Sequence, residues 1–182
     1  MDAWVWIVIL AIVIIAVVLL LGAQRKKSQG LKQRFGPEYD RTVSSAGKRR
    51  AAESELSDRE KRQESLDLQP LSSESRERYE RSWGDTQARF VDAPAEAVTE
   101  ADRLVQQVMQ ERGYPVDNFE QRSSDISVAH PELVQDYRAA HGISLANDHG
   151  EASTEDLRQA MVHYRSLFEQ LLEGGDRAAD TR

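Results

Sequence analysis

Twenty consecutive positions, 4–23, read WVWIVILAIVIIAVVLLLGA and carry no charged or strongly polar side chain; fourteen of them are Val, Ile or Leu. A helix of that length rises about 1.5 Å per residue and reaches about 30 Å, the thickness of a bilayer hydrocarbon core. At roughly −0.3 to −0.6 kcal/mol for each such residue near mid-membrane, insertion is favoured by several kcal/mol. The pattern predicts one N-terminal transmembrane helix. No charge interrupts it, so it offers no path for a proton or ion.

Beyond the run the pattern becomes that of soluble helices. Residues 48–66 are charged throughout, with Glu55/Arg59 and Asp58/Arg62 at i, i+4 spacing and only Ala51, Ala52, Leu56 and Leu66 as an apolar stripe. So thin a stripe predicts a solvated helix over 51–66, a single exposed rod rather than a coiled coil. Residues 66–71, with Pro70, read as an extended connector. Ser72 or Ser73 then caps a helix to about residue 91, in which Tyr79, Trp83, Thr86 and Phe90 recur at helical spacing. Gly84 weakens that helix.

Asp92 and Pro94 suit a cap and first turn for the next helix, whose stripe is Ala97, Val98, Ala101, Leu104, Val105, Val108 and Met109, and which Gly113 and Pro115 stop. Asp117 with Glu120 resembles a capping box opening a short turn of helix through Phe119. His130-Pro131 opens another, with Leu133, Val134, Tyr137 and Ile143 inward and Gly142 placed to break it early. Ser153 to Asp156 caps a last helix, in which Leu157, Ala160, Met161, Tyr164, Leu167, Phe168, Leu171 and Leu172 follow at 3/4 spacing. Gly174-Gly175 ends it, leaving 174–182 as a disordered tail. With no strand pattern and no repeat of solenoid length, the expectation is all-α: a transmembrane helix, a basic and partly helical tether over 24–50, and a compact helical bundle over 71–173.

Charge adds orientation to this picture. The net charge of −7 hides an asymmetry: nine Lys/Arg against Glu38 and Asp40 between residues 24 and 50, and an excess of thirteen acidic charges from residue 51 onward. Arg25, Lys26 and Lys27 follow the apolar run at once, and Lys32 and Arg34 extend the basic flank. By the positive-inside rule the N-terminus lies outside and the rest in the cytoplasm, at the cell inner membrane. Trp4 and Trp6 sit where indole rings favour the headgroup layer. A cleaved signal peptide fits less well, because a basic n-region is missing and Leu21-Gly22-Ala23 is a poor cleavage site. The tether, with Gly30, Gly36, Pro37 and Gly47, is expected to be mobile or only briefly helical. Its cations gain about 1 kcal/mol each beside an anionic leaflet, which makes anionic lipid a candidate partner. Nucleic acid is disfavoured by the acidic domain.

Candidate chemistry is sparse. The absence of cysteine excludes disulfides, thiolate metal sites and a thiol nucleophile. Four histidines, His130, His141, His149 and His163, include no i, i+4 pair and no HExxH, so no metal or other cofactor is expected. The stretch 147–151, NDHGE, lacks the alternating ligands of a calcium loop and reads as a turn. Phosphate-cradling glycine loops and nucleophile elbows are absent. Arg112, Arg122 and Arg138, close in sequence to aromatic residues, suit buried ion pairs better than an anion pocket. What remains as a candidate ligand or partner surface is Tyr114, Phe119, Arg122, His130, Tyr137 and His141, polar and aromatic groups where helices start and stop.

The strings RFGPEYDR at 34–41, ARFVD at 88–92, RGYP at 112–115, FEQR at 119–122 with Asp125, and HP at 130–131 with YRAAH at 137–141 carry a resemblance. They are similar to a family of small bacterial proteins with an N-terminal hydrophobic segment, often labelled hypothetical or secreted. The resemblance spans about residues 35–172 and implies no activity, cofactor or catalytic residue. The label "secreted" stands against the charge-based topology, which is retained. The leading functional expectation is a single-pass membrane-anchored helical binding or adapter protein, not an enzyme, that holds an unidentified protein partner near the membrane. The alternatives are a small-ligand sensor or enzyme using the six helix-junction residues, and an exported envelope protein.

Overall fold

A computed structural model describes residues 4, 10, 14, 15 and 25–173, and among these the chain is all-α without a strand. Most of the expected transmembrane helix, and the tail 174–182, lie outside the described residues. The four described positions of the apolar run, Trp4, Leu10, Ile14 and Ile15, are helical and exposed. Among the described residues no helix is long and apolar enough to cross a membrane. The chain divides into two compact units, Met1–Asp58 and Arg59–Arg182.

In the first unit, helical residues 25–35 (α1) are followed by α2, Pro37–Ala46, and by the start of α3, Arg49–Glu64. The expectation of a mobile or briefly helical tether is corrected: nearly the whole of 25–50 is helix. Helices this short do not hold alone in water, so tertiary burial must hold them. Leu31, Phe35, Tyr39, Ala52 and Leu56 supply it, each 4 % exposed or less. The glycines are corners here, not sources of slack. Gly36 turns α1 into α2 at a positive φ of 48° that favours glycine, Gly47 (φ 65) caps α2 in the left-handed conformation, and Pro37 starts α2 where its missing N–H costs nothing. The exposed rod expected at 51–66 is corrected in part by the burial of Ala52 and Leu56 on α3.

One phenol ties the three helices. The Tyr39 hydroxyl donates to Glu53 Oε1 at 2.8 Å and accepts from Arg49 Nε at 3.0 Å. Arg49 Nε also reaches Glu53 Oε1 at 2.8 Å, while its Nη2 donates to the Ser28 hydroxyl, itself 3.3 Å from the Tyr39 hydroxyl.

The second unit contains the end of α3, a connector, and five helices: α4, Ser73–Arg89; α5, Pro94–Glu111; α6, Phe119–Ala129; α7, Val134–Asp148; and α8, Thr154–Glu173. α5 packs against α4, α7 and α8; α7 packs on α8 and carries α6. All seven stripe residues of α5 and all eight of α8 are buried, so the periodicity of those two helices specifies the centre of the bundle. Trp83 of α4 stacks on Phe168 of α8 at 4.6 Å between ring centroids. Ser72 caps α4 by accepting from Ser75 N at 3.0 Å. Ser153 and Asp156 bond reciprocally at the start of α8, the Ser153 N–H and hydroxyl both donating to Asp156 Oδ2.

Three local expectations are corrected. Ala93, not Asp92, occupies the N-cap of α5 and makes no side-chain bond; Pro94 does start that helix. Asn118, not Asp117, caps α6, accepting from Gln121 N at 2.8 Å, and α6 runs for 11 residues rather than a short turn. Gly142 does not break α7, which continues to Asp148; a Cβ at Gly142 or at Gly84 would meet nothing within 4 Å. Gly84→Ala and Gly142→Ala should therefore each raise stability by about 0.5–1 kcal/mol, read as a higher urea midpoint at unchanged slope.

Candidate functional site

The residues singled out at the helix junctions separate into one cluster and two outliers. Phe119 opens α6 and Tyr137 and His141 lie one turn apart on α7, so packing α6 on α7 brings the three rings together. Phe119 stacks on His141 at 3.7 Å between centroids and 14° between planes, and tilts against Tyr137 at 5.1 Å. Arg122, one turn after Phe119, donates through Nε to the Tyr137 hydroxyl at 2.9 Å and through Nη1 to the Val116 carbonyl at 2.8 Å. Its guanidinium lies 5.8 Å from the Phe119 ring centre.

The cluster continues inward. Tyr137 meets Tyr164 of α8 edge to face at 6.4 Å, and the Tyr164 hydroxyl donates to Asp102 Oδ1 of α5 at 2.9 Å. Gln106 donates to Asp102 Oδ2 at 2.6 Å. Asp102 was missed as a contributor, and its signal was available: an acid four residues after Val98 and three before Val105, hence on the apolar face of α5.

Electrostatics follow from burial. Tyr137 is pushed up to about 12, chiefly by burial and against the pull of Arg122. Tyr164 is pushed up more strongly by burial, with Asp102 adding to it, so both phenols stay neutral. Burial holds His141 below its ordinary value of 6.5, reinforced by Arg122 and opposed by Asp102, Glu120 and Asp148. Because the unfolded chain then takes up the proton first, stability is full above the ordinary value and falls as pH drops through it, levelling below the folded value. His141→Gln should flatten that part of the stability–pH curve, as measured by urea unfolding at a series of pH values.

The outliers make their contacts elsewhere. His130 closes α6, its N–H bonding the Ile126 carbonyl at 2.7 Å and its Nδ1 lying 3.9 Å from Glu132. Tyr114 is buried beneath the end of α5, its ring centre 5.9 Å from the Arg112 guanidinium, and burial raises its pKa. Arg112 donates to the Leu171 carbonyl at 2.9 Å, so Arg112 and Arg122 address different targets rather than one anion.

Around Tyr114 lies a second polar region that sequence reading did not anticipate. Residues 59–69 run as a strap over the corner between α5 and α6. Arg59 Nη1 donates to Ser127 Oγ at 3.2 Å, Arg62 Nε lies 3.9 Å from Asp125 Oδ1, and Gln69 N donates to the Arg112 carbonyl at 2.9 Å. Asp125 is 1 % exposed; burial raises its pKa against the bond from Gln121 and the nearby Arg62 and Arg59. Its sequence signal is weak, since an acid four residues after Gln121 also fits an exposed face.

Among the described residues, grooves open along α4. One, of about 470 Å³, lies between α4 and α5 and is lined by Arg78, Tyr79, Ser82, Gln107, Gln110 and Glu111. Its centre is the Glu111 carboxylate, which accepts from Arg78 Nη2 and from the Tyr79 hydroxyl, both at 2.8 Å. Bonds from Ser75, Tyr79 and Arg78 hold Glu111 below the usual carboxylate range. Another, of about 160 Å³, lies between α4 and α8, with Phe90, Met161 and Val162 flanked by Gln87, Arg158 and Arg165. Among the described residues no group of three His, Asp or Glu side chains is gathered as a metal ion would require. No family model, curated protein or solved structure matches the chain.

Proposed function

We propose that the chain is a single-pass, membrane-anchored helical binding protein: residues 4–23 cross the membrane with the N-terminus outside, and the helical units lie in the cytoplasm, where the bundle holds a protein partner near the bilayer. The observation that supports the anchor is the exposure of Trp4, Leu10, Ile14 and Ile15, 54–64 % in helical conformation and all in one twenty-residue apolar run, whereas the exposed large apolar side chains of the bundle, Val91, Leu145 and Val162, are far apart in sequence. Lipid chains are the natural cover for a twenty-residue run of this kind. The cations that follow it at Arg25, Lys26 and Lys27 are exposed, and a basic flank on this side of the run favours the N-out orientation.

A binding role is favoured over a catalytic one by how the aromatic cluster is used. Phe119 is covered by His141 and Tyr137, and the hydroxyl of Tyr137 is engaged by Arg122, so these groups serve packing. The accessible features are the open grooves along α4, whose mixed polar and apolar linings suit a peptide or helix of a partner.

Two measurements test the proposal. Protease added to intact spheroplasts should leave the bundle uncut and digest it only after lysis; digestion from outside would identify an exported protein instead. A photo-crosslinking residue at Gln107, in the α4–α5 groove, should capture one discrete partner in membranes, while the same residue at Gln159 on exposed α8 surface captures none. Equal labelling from both positions would remove the groove as the binding surface.

A further inference from the structure

Residues 25–50 form folded helices rather than a loose tether, and that changes what their charges can do. All nine Lys/Arg of this stretch are exposed. Of its two acids, Glu38 is 0 % exposed and Asp40 lies 3.4 Å from Lys32 Nζ. Lys32, Arg41 and Arg49 face Asp40, Glu38 and Glu53 at 3.4, 3.7 and 2.8 Å, and with Glu38 withdrawn from the surface the exposed cations of the stretch still outnumber its exposed acids.

We propose that α1, α2 and the start of α3 are a preformed basic platform that seats on the phosphate headgroups of an anionic leaflet. The proposal rests on the anchor reading above and names the second partner of that anchor. Three observations carry it. The cations begin at Arg25, two residues past the apolar run, within reach of the headgroups. They ride on helices joined by the Tyr39 hydroxyl, which meets Ser28, Arg49 and Glu53 on the neighbouring elements, so little conformational freedom remains to be lost on docking. Phosphate is the shared chemistry of lipid and nucleic acid, and the excess of acidic charge from residue 51 onward disfavours a long polyanion while leaving a surface beside the anchor accessible.

Each cation close to an anionic surface strengthens association by about fivefold at moderate salt. The test uses the full chain in nanodiscs of phosphatidylcholine alone and of equal phosphatidylcholine and phosphatidylglycerol, with amine labelling read at each lysine. Labelling at Lys26, Lys27 and Lys32 should fall severalfold in the anionic discs relative to Lys61, and recover in high salt. Equal labelling in the two discs overturns the proposal. Protection of the same lysines in neutral discs by added duplex DNA, as strong as that from anionic lipid, overturns the choice of lipid. Tyr39→Phe, which leaves every charge in place, should weaken the protection; full protection in that variant would mean charge alone suffices and no platform is needed. Should Tyr39→Phe fail to fold, the triple variant Arg25→Gln, Lys26→Gln, Lys27→Gln must lose protection at Lys32, and its retention overturns the proposal. The anchor reading fails separately: a chain that does not enter neutral discs yet pellets with anionic vesicles lacks the anchor and keeps the platform.

Discussion

Tyr137→Ala is expected to destabilise the bundle by about 5 kcal/mol, enough to unfold much of the population of a domain whose total stability is of order 5–15 kcal/mol. Removing a fully buried aromatic side chain costs about 3–5 kcal/mol in transfer and cavity energy, and Tyr137 is 0 % exposed. The rings of Phe119 and Tyr164 lose a neighbour at 5.1 and 6.4 Å, so the cavity opens between three helices. A second loss is electrostatic. Arg122, only 6 % exposed, keeps the Val116 carbonyl but loses the oxygen that accepts from its Nε, and an unmet bond to a buried charge costs about 1.5–3 kcal/mol. Tyr137→Phe isolates that second part and should cost about 2 kcal/mol. Because burial pushes the Tyr137 hydroxyl up to about 12, the phenol is neutral throughout the ordinary pH range and both losses should be independent of pH there. Urea unfolding of the full chain in mild detergent, with amide exchange of α5 and α8 as the residue-level readout, measures them. An alanine variant no less stable than the phenylalanine variant would show that the ring is not the keystone of the α6–α7–α8 junction.

What could be read from sequence follows the length and amphipathicity of each element. α5 and α8 are long and have one broad apolar stripe, so the residues facing the core, and even the reciprocal Ser153–Asp156 cap, are fixed by spacing alone. α2 and α6, at 10 and 11 residues, are not. Their helicity is decided by burial against neighbours distant in sequence, and α6 buries Arg122, Ser123, Asp125 and Ser127 where periodicity arguments expect apolar side chains. Cap positions slipped by one residue at Asp117/Asn118 because Asp and Asn have nearly equal N-cap preference. Glycine in a sequence suggests slack or a stop, yet Gly36 is a corner and Gly142 sits inside a continuous helix; the distinction depends on whether the site demands positive φ, which composition cannot reveal. For the site, four of the six residues singled out near helix ends, Phe119, Arg122, Tyr137 and His141, lie together with Tyr164, whereas the pairing of Phe119 with His141 and the separation of Tyr114 and His130 from it arise only from how α6 lies on α7.

Gly113→Ala is the second substitution with a large expected effect, about 3 kcal/mol, and it tests whether the strap over the α5–α6 corner is an integral part of the bundle. Gly113 ends α5 in a Schellman arrangement, its N–H bonding the Gln110 carbonyl at 3.0 Å and the Tyr114 N–H bonding the Met109 carbonyl at 2.9 Å. That geometry needs the positive φ of 92° found there, which costs an L-residue about 1–2 kcal/mol. The strap adds a steric demand, because a Cβ at this position would lie 2.5 Å from the Asp67 carbonyl oxygen, a backbone atom that cannot turn aside. Relief requires 67–69 to lift, which breaks the Gln69 N–H bond to the Arg112 carbonyl and loosens Leu66 and Leu68, both packed on the core. Overpacking of this kind adds about 1–3 kcal/mol. Gly150 supplies the control. It ends α7 with the same pair of bonds, Gly150 N to Asn147 and Glu151 N to Ala146, at φ 72°, but a Cβ there would meet nothing within 4 Å. Gly150→Ala should therefore cost only the backbone term, about 1–2 kcal/mol. The excess at Gly113 should appear as faster amide exchange at Gln69, with the interior of α8 little affected until global unfolding. Equal costs at the two glycines would mean that the strap yields freely, and that the cation pairs of Arg59 and Arg62, rather than close packing at Gly113, hold it to α6.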